Sequence, residues 1–100
     1  MQRATVRIEL DDRAYELALQ PARPGVVPLH PAARAVLEHA QPAVGRRAAR
    51  IVRCTVPEAR ALLDHFDSLC DRLTALDHAD ATVCAGARDA VRRALVAASA

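Results

Sequence analysis

Lysine is absent from this chain: all fourteen basic side chains are arginine. With so much alanine beside them, this is the coding bias of a GC-rich genome, most often bacterial, and it carries no functional information. Aromatic side chains are nearly missing too, Tyr15 and Phe66 being the only two. That leaves little surface for stacking nucleic-acid bases, and it makes each buried position yield less hydrophobic stabilisation than a core rich in Phe and Leu would. No apolar run approaches the roughly eighteen residues of a membrane helix. The start, Met1-Gln2-Arg3, leads straight into alternating sequence without the apolar core of a secretory signal, which predicts a cytoplasmic protein.

Short cysteine spacings are also lacking. Cys54, Cys70 and Cys84 form no CxxC pair, and fifteen and thirteen residues separate them, far from structural zinc spacing. They are expected to be buried thiols. No cluster has the spacing of a catalytic, phosphate-binding or metal-binding motif, so neither a metal nor a cofactor is implied. The net charge of +2 is too small to imply a nucleic-acid or membrane partner by itself. Its distribution is uneven, because residues 41–60 carry five arginines against Glu58 and residues 61–81 carry five aspartates against Arg72.

What is present is a chain long enough for one domain over residues 1–100. A fold of this size buries about two-thirds of its unfolded surface, and a homodimer is one way to complete so alanine-rich a core. The clearest local signal lies between Ile51 and Leu76. Val52, Cys54 and Val56 alternate with Ile51, Arg53 and Thr55, which predicts a strand over 48–56 with one buried face. Thr55 then supplies a capping oxygen and Pro57 suits a first helical turn. Over 57–76, Leu62, Leu63, Phe66, Leu69, Cys70, Leu73 and Leu76 recur every three or four residues and form one apolar stripe, with Asp64, Asp67 and Asp71 opposite. His65 falls at the stripe's edge, where a ring with one wet side is expected.

Upstream, Val6, Ile8 and Leu10 alternate with polar residues, and Tyr15, Leu17 and Leu19 alternate again. Residues 1–20 therefore predict a hairpin, turning at Asp11-Asp12-Arg13. The rival is a short helix capped by Asp11 or Asp12 and running to Gln20, since Ala14, Glu16, Leu17 and Ala18 are good helix formers. A loose echo between Val6–Asp12 and Val52–Glu58 supports the rival, as it would make two strand-then-helix units. Residues 21–31, with Pro21, Pro24, Gly25, Pro28 and Pro31, form an extended loop pinned by Val26, Val27 and Leu29. A short helix follows over 32–40, with Pro31 at its first turn and Ala33, Val36, Leu37 and Ala40 on one face. A last helix over 81–98 clusters Val83, Cys84, Ala87, Val91, Ala94, Leu95 and Ala98, and its small residues allow close approach to the preceding helix. The whole predicts an α+β fold: a small, mostly antiparallel three-stranded sheet with a helical hairpin and one short helix packed on one face.

For function, Arg46, Arg47, Arg50 and Arg53 concentrate guanidinium forks that suit carboxylate or phosphate. Asp64, Asp67 and Asp71 offer an acidic stripe for a basic partner, but one exposed helix lacks the converging ligands a metal needs. Val26, Val27, Leu29 and His30 place apolar surface and a histidine in the proline-rich loop. These features predict a small non-enzymatic protein-binding or regulatory domain, acting through the arginine-rich strand, the loop or the outer face of the long helix. The alternative is a cofactor-independent enzyme using His30, with Tyr15 or an arginine, in a loop-lined pocket. A second alternative is a weak nucleic-acid binder working through Arg46, Arg47, Arg50 and Arg53.

Overall fold

The alternating residues at the start do form a strand, and it finds its partner far along the chain rather than next to itself. The structure, a computed structural model, describes residues 5–21, 24–42 and 49–99. Strand β1 (Thr5–Asp11) pairs antiparallel with β3 (Ala49–Thr55) over seven residues, from Thr5 opposite Thr55 to Asp11 opposite Ala49. The two-residue β2 (Gln41–Pro42) pairs antiparallel with the other side of β3, giving the order β1-β3-β2. Helices pack on this three-stranded antiparallel sheet, an α+β fold.

The predicted hairpin over residues 1–20 is corrected. Residues Asp12–Leu19 are helix α1, capped by the Asp11 carboxylate, which accepts from the Arg13 N–H. The winning pattern is Ala14, Leu17 and Ala18, spaced three and four apart and all buried. Tyr15 and Leu19 pack against the core from its margin. Good helix formers behind a capping aspartate outweigh a period-two pattern only five residues long.

Helix α2 (Pro31–Glu38) starts one residue earlier and ends two earlier than the sequence pattern indicates, with Pro31 in the first turn. Helix α3 (Val56–Ala75) begins with the anticipated Thr55 cap. It is a full capping box: the Thr55 N–H donates to Glu58 Oε1 at 2.8 Å, while the Glu58 N–H donates to Thr55 Oγ1 at 3.4 Å. The helix ends in a Schellman turn, in which the His78 N–H reaches the Leu73 carbonyl and the Asp77 N–H that of Thr74. Helix α4 (Ala81–Ser99) then runs back antiparallel along α3, so that Arg88 of α4 meets Cys70 and Asp67 of α3.

The core joins Val6, Ile8, Leu10, Val52 and Cys54 from the sheet to Ala59, Leu62 and Phe66 of α3 and to Ala87 and Val91 of α4. A second cluster unites Leu17, Val26, Leu69, Cys70, Leu73 and Cys84. All three cysteines are free and buried. His65 is corrected from a wet boundary to the interior: it is 5% exposed, with its ring edge-on to Phe66 at 5.9 Å between centroids. No helix among the described residues is long and apolar enough to cross a membrane.

Candidate partner-binding surface

Alternation along the paired strands turns Val6, Ile8, Leu10, Val52 and Cys54 toward the helices and leaves Arg7, Glu9, Ile51 and Arg53 on the other face. In the register, Arg7 stands directly opposite Arg53, and Glu9 opposite Ile51. Like charges facing each other across a ladder are destabilising. Both arginines are exposed, and neither forms an ion pair with a described residue.

Beside this pair a cleft of about 510 Å³ opens between α2 and β3. Its floor is apolar, from Ala35, Val36 and Ile51; its rim is polar, from His39, Gln41, Arg53 and Glu58. The Glu58 carboxylate is already engaged by the Thr55 N–H and hydroxyl, at 2.8 and 3.0 Å. Arg53 is therefore the cation at this rim that an incoming acid would meet.

The four candidate arginines do not converge. Arg46 and Arg47 lie outside the described residues. Arg50 and Arg53 are three residues apart on one strand and so occupy opposite faces. Arg50 is half-buried: its Nε donates to Asp12 Oδ1 at 3.1 Å and its guanidinium carbon sits 4.4 Å from the Tyr15 ring centroid. Two of its binding modes are thus used inside the chain, fastening α1 to β3.

No family model, curated protein or solved structure matches this chain. The surface is judged on its own chemistry.

The proline-rich loop is largely a packing element. Gly25, at φ +79°, turns the chain after Pro24 and delivers Val26 into the second cluster. Leu29 packs against the main core, whereas the Val27 side chain is exposed. His30 caps α2, its Nδ1 accepting from the Ala32 N–H at 3.1 Å, and it lines neither the cleft above nor the groove described below. Asp64, Asp67 and Asp71 lie on the exposed side of α3, and Asp67 is 3.7 Å from Arg88. Among the described residues, no group of three or more His, Cys, Asp or Glu side chains could hold a metal ion.

Sequence reasoning missed Arg7, and a signal for it existed. The echo that aligns Val6-Arg7-Ile8 with Val52-Arg53-Cys54 places the two arginines at matching positions of two strands, which is where an antiparallel register brings them face to face.

Proposed function

We propose that this chain is a non-enzymatic protein-binding domain that docks an acidic segment of a partner protein on the outer face of its sheet. A carboxylate of the partner would fork onto Arg53, and an apolar neighbour would settle against Val36 and Ile51. The observation that carries this reading is the Arg7–Arg53 juxtaposition at the mouth of an apolar cleft. An anion there relieves the repulsion between the two guanidiniums, and a charge-assisted, two-pronged hydrogen bond fixes its orientation. Burial of the adjacent apolar residue would supply most of the contact energy, while charge orients the segment and speeds its arrival.

The test uses a short fluorescent peptide of alternating Glu and Leu, titrated with the full chain and read by anisotropy. Binding is expected to weaken as salt rises and to be lost in Arg53→Glu, with the urea midpoint unlowered or slightly raised, because Arg53 is exposed and the variant sets Glu opposite Arg7. No binding by the unmodified chain, or equal binding by Arg53→Glu, overturns the reading. Tighter binding to random duplex DNA than to the peptide, falling steeply with salt, overturns it as well.

A further inference from the structure

Strand β1 is the end of the sheet, and among the described residues no strand pairs with its outer side. Seven residues of extended backbone are a template for another strand. The outer side of β1 faces a groove of about 840 Å³, walled by Arg7, Glu9 and Asp11 on one side and by α4 on the other. The α4 wall sets the small residues Gly86, Ala90 and Ala94 one turn apart, with Val83 and Arg93 beside them. Space for a further strand at its usual spacing of about 4.8 Å is therefore left beside β1.

We propose that the groove takes the β1 strand of a second copy of this chain, antiparallel about a two-fold axis at Ile8, so that the two sheets merge into one of six strands. The charge pattern selects this occupant and this register. Centred on Ile8, Arg7 faces the second copy's Glu9 in both directions, Thr5 faces Asp11, and Val6 faces Leu10 on the helix side. Moving the axis to Arg7 sets Arg7 against itself; moving it to Glu9 sets Glu9 against itself, although Arg7 then faces Asp11; moving it to Leu10 sets Glu9 against Asp11; and moving it to Val6 pairs only three residues and no opposite charges. A shift that mixes the two faces would oppose Val6, Ile8 and Leu10 to charged residues. Only one register in this set is both face-matched and charge-complementary, and it is its own mirror under a two-fold axis, as a symmetric dimer requires. The small residues of α4 allow the two α4 helices to pass closely beneath the joined strands.

This inference does not need the peptide-docking reading, although the two share Arg7: Arg53 lies in the middle strand away from the paired edge, while Arg7, which stands opposite it, would be matched in the dimer by the second copy's Glu9. The pairing would leave both Arg53 clefts on one continuous face, three strand spacings or about 14 Å apart across the ladder. The dimer would then meet a partner in two places at once.

Sedimentation equilibrium of the full chain tests it. The expected mass is twice the 10.8 kDa of one chain. Arg7→Glu and Glu9→Arg each set like charges across the joint, and each is expected to weaken self-association about tenfold or more, since two symmetry-related pairs are reversed together. An equimolar mixture of these two variants restores opposite charges at both positions and is expected to form a heterodimer, read by native mass spectrometry. In the unmodified chain, amide exchange along β1 is expected to slow as concentration rises, a readout that survives any folding defect of Glu9→Arg. A monomeric wild-type chain, a dimer indifferent to Arg7→Glu, or β1 exchange that ignores concentration overturns the proposal. A dimer of the unmodified chain that binds no peptide, or whose peptide binding is unchanged in Arg53→Glu, would leave this inference standing alone.

Discussion

The His65 ring nitrogen Nδ1 lies 2.8 Å from the carbonyl oxygen of Val27. A carbonyl only accepts, so the proton is on Nδ1, and Nε2 is left as a buried acceptor without a hydrogen-bond partner among the described residues. The Val27 N–H donates in turn to Ser68 Oγ at 2.9 Å. One residue of the loop is thus clasped on both sides by α3, beside the point where Val26 enters the second apolar cluster.

Removing the two halves of this clasp should have unequal effects. His65→Ala opens a cavity and frees the loop, and is expected to lower stability by about 2–4 kcal/mol. His65→Leu fills the space and removes the unsatisfied Nε2, so its loss should be smaller. Ser68→Ala leaves an exposed Val27 N–H that water can serve, for a loss below about 1 kcal/mol. Urea denaturation ranks the three, and amide exchange over residues 24–29 should quicken in the order Ser68→Ala, then His65→Ala.

Arg50 and Tyr15 should be energetically coupled. The guanidinium sits 4.4 Å from the ring centroid while its Nε is bonded to Asp12, so α1 is held to β3 by one side chain making two contacts. A double-mutant cycle with Arg50→Ala and Tyr15→Leu is expected to give a coupling of about 0.5–1 kcal/mol. Arg50→Lys should recover only part of it, since an ammonium cannot both lie on the ring and present an in-plane fork. A coupling of zero would mean that α1 is held by its apolar contacts and the Arg13–Asp80 ion pair, with nothing from the guanidinium on the ring.

Alkali should weaken the fold through Cys54. Burial pushes this thiol up from its ordinary 9.0 to about 11, and the nearby Glu58 carboxylate adds to the rise. The folded chain therefore keeps a proton that the unfolded chain surrenders first. The resulting stabilisation is complete below about pH 9 and is lost as pH climbs through 11, up to about 2 kcal/mol. Cys54→Ala is expected to be less stable at pH 7 because of the lost packing, yet to show a flatter decline between pH 9 and 11. At pH 8 all three thiols should react slowly with a disulfide reagent in the native chain and rapidly in denaturant, since all three are buried.

Asp77 is an opportunity for stabilisation. It takes φ +51° in the turn that ends α3, a conformation that most side chains resist. Asp77→Gly is expected to raise stability by about 0.5–1 kcal/mol, with the gain reduced by the extra freedom glycine has in the unfolded chain. A rise of a few degrees in Tm checks it, and a fall would show that the Asp77 side chain does more than occupy the turn.

The parts of this fold that the sequence made legible are those whose cause is local. Thr55 and Pro57 mark the start of α3 because a cap acts within one turn, and the stripe from Leu62 to Leu73 is read directly from a 3.6-residue period. The same arithmetic places Asp64, Asp67 and Asp71 outside. His65 escaped it, because its burial comes from a loop nearly forty positions upstream whose Val27 carbonyl meets the ring's Nδ1 edge. The 12–19 segment escaped for another reason: Tyr15, Leu17 and Leu19 fit a period of two while Ala14, Leu17 and Ala18 fit the helical one, and the weight of the Asp11 cap shows only once the helix is seen.

The binding surface divides in the same way. Composition alone could say that guanidiniums were available and aromatic stacking was not. Whether they meet is a question of register: Arg50 turns inward to Asp12 and Tyr15, while Arg7 and Arg53, distant in sequence, are set opposite each other. A one-residue slip in that ladder would have reversed both results, because side chains alternate faces with a period of two. Residue types and periodicity thus determined α2, α3 and α4, the Thr55 cap and the buried thiols by themselves, but not α1. Strand partners, and with them the charge pattern of the open face, were decided only by tertiary structure, since pairing energy depends on which distant segment is brought alongside.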